Sequence, residues 1–279
     1  MTAADAARLV TLAAIWGASF LFIRIATPVF GVLATADVRM LIAGGALASY
    51  YALTGFDPQW RRWWRYYLAI GVLNCVLPFL LFGYAALYLT VGLLVVLNAT
   101  SPMWGALLSA IILRERLSLG RIAGLVIGVV GVALVSGAEA SDRWLAVLAG
   151  LGAAFCYGLT GVVMRGGARH ASAKGMAAGS LVAGGVLLAP LLAAVTPAWP
   201  GVPVALALLA LGLVCGAVAY VLYFRLITDI GATGALTVTY LIPIFGFAWG
   251  ALFLGEAITP AMLGGALVVI LGTVLVLRN

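Results

Sequence analysis

The sequence predicts an all-α integral membrane protein: ten transmembrane helices arranged as two inverted five-helix repeats. Three observations predict this class. The 279 residues are 65% hydrophobic and only 8% charged. An ordinary soluble domain carries roughly 25% charged residues, so this chain has too few to cover a soluble surface. Mean hydropathy is +1.22, and apolar runs close to the roughly 20 residues that cross a bilayer recur along the chain. Finally, the sequence matches itself without gaps when shifted by 141 residues. These features exclude a cytosolic enzyme, a secreted disulfide scaffold and a single-span receptor.

The apolar runs place helices at 8–27, 33–53, 64–81, 93–113, 119–135, 144–164, 175–195, 204–227, 232–254 and 260–277. Pro28 closes the first run, and the 55–58 turn closes the second. Gly120, Gly137, Gly166, Gly167, the proline-rich 197–203 connection, Gly231 and Pro260 mark later joints. Pro78 interrupts the third run, so its end is the least defined. The first run follows Arg8, but no small-x-small cleavage site precedes the next helix. It therefore reads as a retained span, not a signal peptide. Cys75, Cys156 and Cys215 all lie in apolar runs without metal-ligand spacing and read as packing residues.

Charge sets the expected orientation. With the N-terminus inside, the cytoplasmic segments carry Arg8, Arg61, Arg62, Arg65, Arg114, Arg116, Arg121, Arg165, Arg169, Lys174, Arg225 and Arg278. The opposite side receives only Arg24, Arg39 and Arg143. This bias places both termini in the cytoplasm by the positive-inside rule. Trp60, Trp63, Trp64, Tyr66 and Tyr67 beside three arginines form an interfacial aromatic belt. No basic cluster has the length of a nucleic-acid patch.

The shift of 141 residues superposes Gly17 on Gly158, Arg24 on Arg165, Pro102 on Pro243, Gly105 on Gly246 and Glu115 on Glu256. Matches of Pro, Arg and Glu weigh most, because those types are scarce here. Residues 1–137 and 142–279 are the expected repeats, together one integrated transport domain. Five helices per half send the second half into the membrane from the other face. That is the inverted repeat of secondary transporters.

Trp16-Gly17-Ala18-Ser19-Phe20, Arg39, Ala86-Leu87-Tyr88, Ser101-Pro102 and Leu113-Arg114-Glu115-Arg116-Leu117 carry a family resemblance. Gly231-Ala232-Thr233, Leu241-Ile242-Pro243 and Leu254-Gly255-Glu256 carry it through the second half. Over its whole length the chain resembles the ten-helix EamA branch of the drug/metabolite transporter superfamily. Within that branch it is most similar to bacterial exporters of aromatic and other amino acids. The resemblance implies a central cavity lined by helices 1 to 4 and 6 to 9, with helices 5 and 10 peripheral. It also implies a rocking of the 3–4 and 8–9 hairpins, and residence in the bacterial inner membrane.

Candidate cavity residues follow from polarity and irregular backbone inside apolar helices. Pro78, Pro102 and Pro243 free the carbonyls of Asn74, Asn98 and Thr239, and unpaired backbone in a membrane belongs in the bundle or along a wet cavity. Prolines are also ordinary kinks in membrane helices, and the sequence leaves both roles open. Trp16, Tyr84, Trp104, Tyr157, Tyr220 and Tyr240 lie far from the interfaces, where their polar atoms want partners. Trp16 and Tyr157 are repeat-equivalent, each preceding a paired glycine. Arg24 and Arg165 are expected to snorkel, Arg39 to pair locally with Asp37, and Glu115 and Glu256 to serve the hairpins structurally. Gly124, Gly128, Gly265 and Gly272 are expected to let helices 5 and 10 approach closely.

The acids are Asp5, Asp37, Asp57, Glu115, Glu139, Asp142, Asp229 and Glu256, and each falls in a loop or at a helix end by these boundaries. The one histidine, His170, lies in a basic loop. No nucleophile–base pair or metal motif is expected inside the membrane, which argues against an enzyme and against a cofactor. Absence of a membrane-embedded acid implies transport down the substrate gradient. The expected partners are a small-molecule substrate and the lipid bilayer, not nucleic acid, with the protein acting as a monomer. A zwitterion with an apolar side chain fits best. A drug or quaternary amine is the alternative, or another metabolite such as a nucleoside or sugar derivative.

Overall fold

The structure, a computed structural model, describes every residue except 1, 138–142, 168–171, 196, 198 and 279. Glu139, Asp142, Arg169 and His170 therefore lie outside the described residues. Ten helices among the described residues are long and apolar enough to cross a bilayer. They are α1 (Ala3–Phe30), α2 (Val32–Leu53), α3 (Trp60–Ala86), α4 (Val91–Ile112) and α5 (Leu119–Ser136). The second half has α6 (Trp144–Arg165), α7 (Ala173–Val195), α8 (Val202–Gly231), α9 (Gly234–Leu254) and α10 (Pro260–Leu277). The chain is a multi-pass, all-helical membrane protein.

Several helices outrun their apolar stretches, because polar caps rather than hydrophobicity set their ends. Thr2 and Asp5 form a capping box that starts α1 five residues before the apolar run does. Pro28 does not stop α1. Its missing N–H is tolerated in the last turn, and Gly31 at φ 85° makes the break. The aromatic belt from Trp60 to Tyr67 is itself helical and forms the first turns of α3.

Two spans carry π-helical turns, at Val72–Val76 in α3 and Ala210–Val218 in α8. The first lies immediately before Pro78, whose missing donor it absorbs. The second occupies the repeat-equivalent stretch without a proline. α4 is interrupted at Ala99 and Thr100, where Pro102 begins a second helical segment.

Packing partners exchange when the two halves are exchanged. α1 lies on α9 and α6 on α4, while α3 lies on α7 and α8 on α2. α2 packs on α7, and α5 on α10. Glycines set these distances. A Cβ on Gly44 would stand 2.9 Å from Val182, and one on Gly185 2.7 Å from Leu41. Those two contacts are equivalents under the shift. At α5–α10, a Cβ on Gly272 would stand 2.6 Å from the carbonyl oxygen of Gly124, so the backbones touch as the glycine spacing predicts. α5 and α10 pack chiefly on each other, and Leu119, Val126, Val129, Leu267 and Leu271 turn outward.

Candidate functional site

The two π turns carry Asn74 and Cys75 in α3 and Cys215 in α8. On α2, Arg39 is 9% exposed, and its guanidinium carbon sits 3.8 Å from the ring centroid of Phe79. Tyr157, Cys215, Cys75 and Tyr220 are the groups within electrostatic reach of its charge. Asn74 lies within hydrogen-bond reach of Tyr220. Cys75 donates to Ser180 Oγ at 3.7 Å, and Cys215 donates to the Ile15 carbonyl at 3.3 Å. All three cysteines are free and buried.

Aromatic rings wall this centre. Trp16 packs on Tyr223 at 5.3 Å between centroids and on Tyr220 at 6.4 Å. Tyr157 packs on Phe82 at 6.2 Å, the repeat-equivalent of the Trp16–Tyr223 pair. Offset and edge-on geometries of this kind favour aromatic pairs beyond their buried area. The equivalent of Arg39 is Ser180, so the centre holds a guanidinium from one half and a hydroxyl from the other.

Of the residues singled out in the sequence, Tyr157 and Tyr220 stand near Arg39, and Asn74 and Trp16 adjoin Tyr220. Pro78 begins the helical segment that carries Phe79 and Phe82. The others lie elsewhere. Tyr84 packs on Tyr88 at 5.3 Å near the end of α3. Trp104 packs edge-on against Phe155 of α6 at 5.5 Å. Pro243 faces a largely apolar groove between α9 and α10 with Phe247 and Leu263. Pro102 does free the Asn98 carbonyl, but Ser101 Oγ donates to it at 2.6 Å. Neighbouring Ala99 likewise accepts from Thr273 at 3.1 Å. Hydroxyls close this break, so it offers no bare carbonyl at Asn98. Tyr240 lies in the first turn of the helical segment that begins at Val238, its N–H donating to the Thr237 carbonyl at 3.1 Å.

Arg39 and Asp37 correct the sequence reading. Both stand near the start of α2, as expected, but they do not pair. The ion pairs among the described residues are Arg8 with Asp5 and Asp229, Glu115 with Arg121 and Arg165, and Arg225 with Asp229. Residues two apart on a helix point to different faces. Asp37 is fully buried, and both its carboxylate oxygens lack a hydrogen-bond partner among the described residues. Asp37 stands in the first two turns of α2, a helix-end acid by position, but one that the bundle buries. Arg24 also departs from simple snorkelling, because it donates to the Ala86 carbonyl at 3.0 Å and ties α1 to the end of α3.

The two ends of the bundle differ. At one end, both oxygens of Glu256 accept the Val91 N–H, at 3.0 and 2.9 Å, closing the α9–α10 connection onto the start of α4. Residues Val91 to Leu97 are buried there, and a Cβ on Gly246 would stand 2.4 Å from Val95. At the other end, the equivalent Glu115 pairs with Arg121 at 3.8 Å and Arg165 at 3.9 Å. Leu236, the equivalent of fully buried Val95, is 41% exposed. The second segment of α4 and the start of α9 do not pack as their counterparts do. Both hairpins use left-handed backbone at the same place, Arg114 at φ 56° and Gly255 at φ 64°.

Comparison with known proteins supplies the family. The profile of the EamA-like transporter family matches residues 7–137 and again 144–278. The uncharacterized transporter YvbV of Bacillus subtilis is 27% identical over 276 residues, covering 95% of this chain and 88% of that protein. A probable terminal-alkyne amino-acid exporter of Streptantibioticus cattleyicolor is 25% identical over 260 residues, covering 90% and 86%. A crystal structure at 18% identity superposes with a TM-score of 0.68 over 99% of this chain and 96% of that one, a likeness of fold. With its profile matched in both halves, the chain belongs to the EamA-like transporter family.

Proposed function

We propose that this transporter exports small metabolites, foremost aromatic and other neutral amino acids, by alternating access across the bacterial inner membrane. In this reading, residues 1–137 and 142–279 are inverted repeats of one transport domain that works as a monomer, with both termini cytoplasmic. The observation that carries it is the unequal packing of two repeat-equivalent ends. Val91 to Leu97 are sealed against α9 at one end, while Leu236 is exposed at the other. Exchanging the two arrangements between the repeats would move the opening from one face to the other.

Support for an amino acid comes from the centre, where Arg39 and Asn74 can take a polar head and Trp16, Tyr157 and Tyr220 an apolar side chain. The Streptantibioticus relative, a probable terminal-alkyne amino-acid exporter, agrees with that class. The test is uptake by purified protein in proteoliposomes against a panel of amino acids, nucleosides and quaternary amines. Saturable uptake of neutral amino acids is the expected result. Uptake confined to quaternary amines would overturn the substrate reading.

A further inference from the structure

We propose that Arg39 is the substrate-carboxylate anchor, so that the central site selects organic monocarboxylates over amines of the same shape that lack the carboxylate. The proposal rests on the transporter reading above and specifies its binding site. Arg39 is more than nine-tenths buried in a membrane helix, and no ion pair among the described residues includes it. Charged side chains at such depth usually meet a partner or line a substrate path. The nearby groups that its charge feels are phenols and thiols, which do not neutralise it. Among the described residues its nitrogens have no hydrogen-bond partner, and the residue keeps 9% exposure where Asp37 keeps none.

The guanidinium carbon lies over the Phe79 ring at 3.8 Å, and a guanidinium set against a ring by its face keeps its N–H edge for a ligand. That edge presents paired N–H donors at the spacing of a carboxylate, a fork an ammonium does not have. The repeat strengthens the point. Its equivalent position holds Ser180, whose hydroxyl already donates to the Ala177 carbonyl at 3.2 Å. One fork in the centre matches one carboxylate. Tyr157 and Tyr220 stand near it as further hydroxyls and as walls for the remainder of the ligand.

The test compares three ligands of one shape: L-phenylalanine, L-phenylalaninamide and phenethylamine. Uptake in proteoliposomes and ligand-induced thermal stabilisation are both read, for wild type, Arg39→Gln and Arg39→Lys. Wild type should prefer the carboxylate by about ten- to a hundredfold, the worth of one or two charge-assisted hydrogen bonds. Arg39→Gln should lose that preference while gaining stability without ligand, because it removes an unpaired buried charge. Arg39→Lys should keep part of the preference through its charge. Equal handling of acid and amide by wild type, or retention of the preference in Arg39→Gln, would overturn the anchor and leave the transporter standing. Should Arg39→Gln fail to fold, the wild-type ratio and Arg39→Lys decide, and an unchanged ratio in Arg39→Lys overturns the fork. Wild-type uptake of phenethylamine alone, or of none of the three, would overturn the amino-acid reading and the anchor together.

Discussion

Removing the Glu256 carboxylate should open the closed end of the bundle. Its two oxygens accept the Val91 N–H at 3.0 and 2.9 Å, at the first turn of α4. A hydrogen bond to a charged group contributes about 1.5–3 kcal/mol. The positive end of the helix dipole adds about 0.3–1 kcal/mol. Thr90 caps the next free donor, Leu93 N–H, at 3.3 Å, so the helix end itself survives the change. Only the tie to the α9–α10 connection is lost. A loss near 2 kcal/mol shifts the ratio of closed to open ends by about thirtyfold, since each 1.4 kcal/mol is tenfold. The assay is a pair of spin-label distances. One pair replaces exposed Tyr88 and Ile258 at the closed end, and the other exposed Arg116 and Thr237 at the open end. The native cysteines are buried, so labelling stays selective. Glu256→Ala should lengthen the first distance and shorten the second. Unchanged distributions at both ends, with the protein folded, would refute the latch.

Three further outcomes follow from the same structure. Glu115→Gln should act in the opposite sense to Glu256→Ala, holding the structure as it is and slowing exchange, read as a reduced transport rate with unchanged ligand binding. Asp37→Asn keeps shape but removes an unpartnered buried carboxylate. It should raise the melting temperature and leave downhill transport intact, whereas pH-driven accumulation seen in wild type and lost in this variant would count against transport down the substrate gradient. Gly272→Val, whose Cβ would stand 2.6 Å from the Gly124 carbonyl oxygen, should destabilise the α5–α10 pair by about 1–3 kcal/mol, read as a lower melting temperature with the transport site intact.

Much of the fold was legible in the sequence. Apolar run length gives ten helices, and Gly124, Gly265 and Gly272 mark the face where α5 and α10 meet. The centre was only partly legible. Trp16 and Tyr157 announce themselves because a repeat shift pairs them and membrane depth isolates their polar atoms. Arg39 and Asp37 were missed because both stand within the first turns of α2, where sequence position suggests an interface. Their burial is decided by α3, α7 and α8, which come from distant parts of the chain. A hint was present in Arg39 itself, a cation inside a shared motif without an acid at helical spacing. The proline argument failed at Pro102 for a local reason: Ser101 stands beside the freed carbonyl and satisfies it. The π turns carry no clear sequence signal beyond Pro78, because the equivalent turn in α8 forms without a proline.

Counterflow reports directly on alternating access around one central site. Proteoliposomes holding purified protein are preloaded with unlabelled L-phenylalanine and diluted into a trace of the radiolabelled form. A carrier that alternates its opening around one central site should concentrate label transiently inside, reaching an overshoot that empty vesicles and vesicles loaded with phenethylamine do not show. Equal label in preloaded and empty vesicles would contradict alternating-access transport of amino acids by this protein.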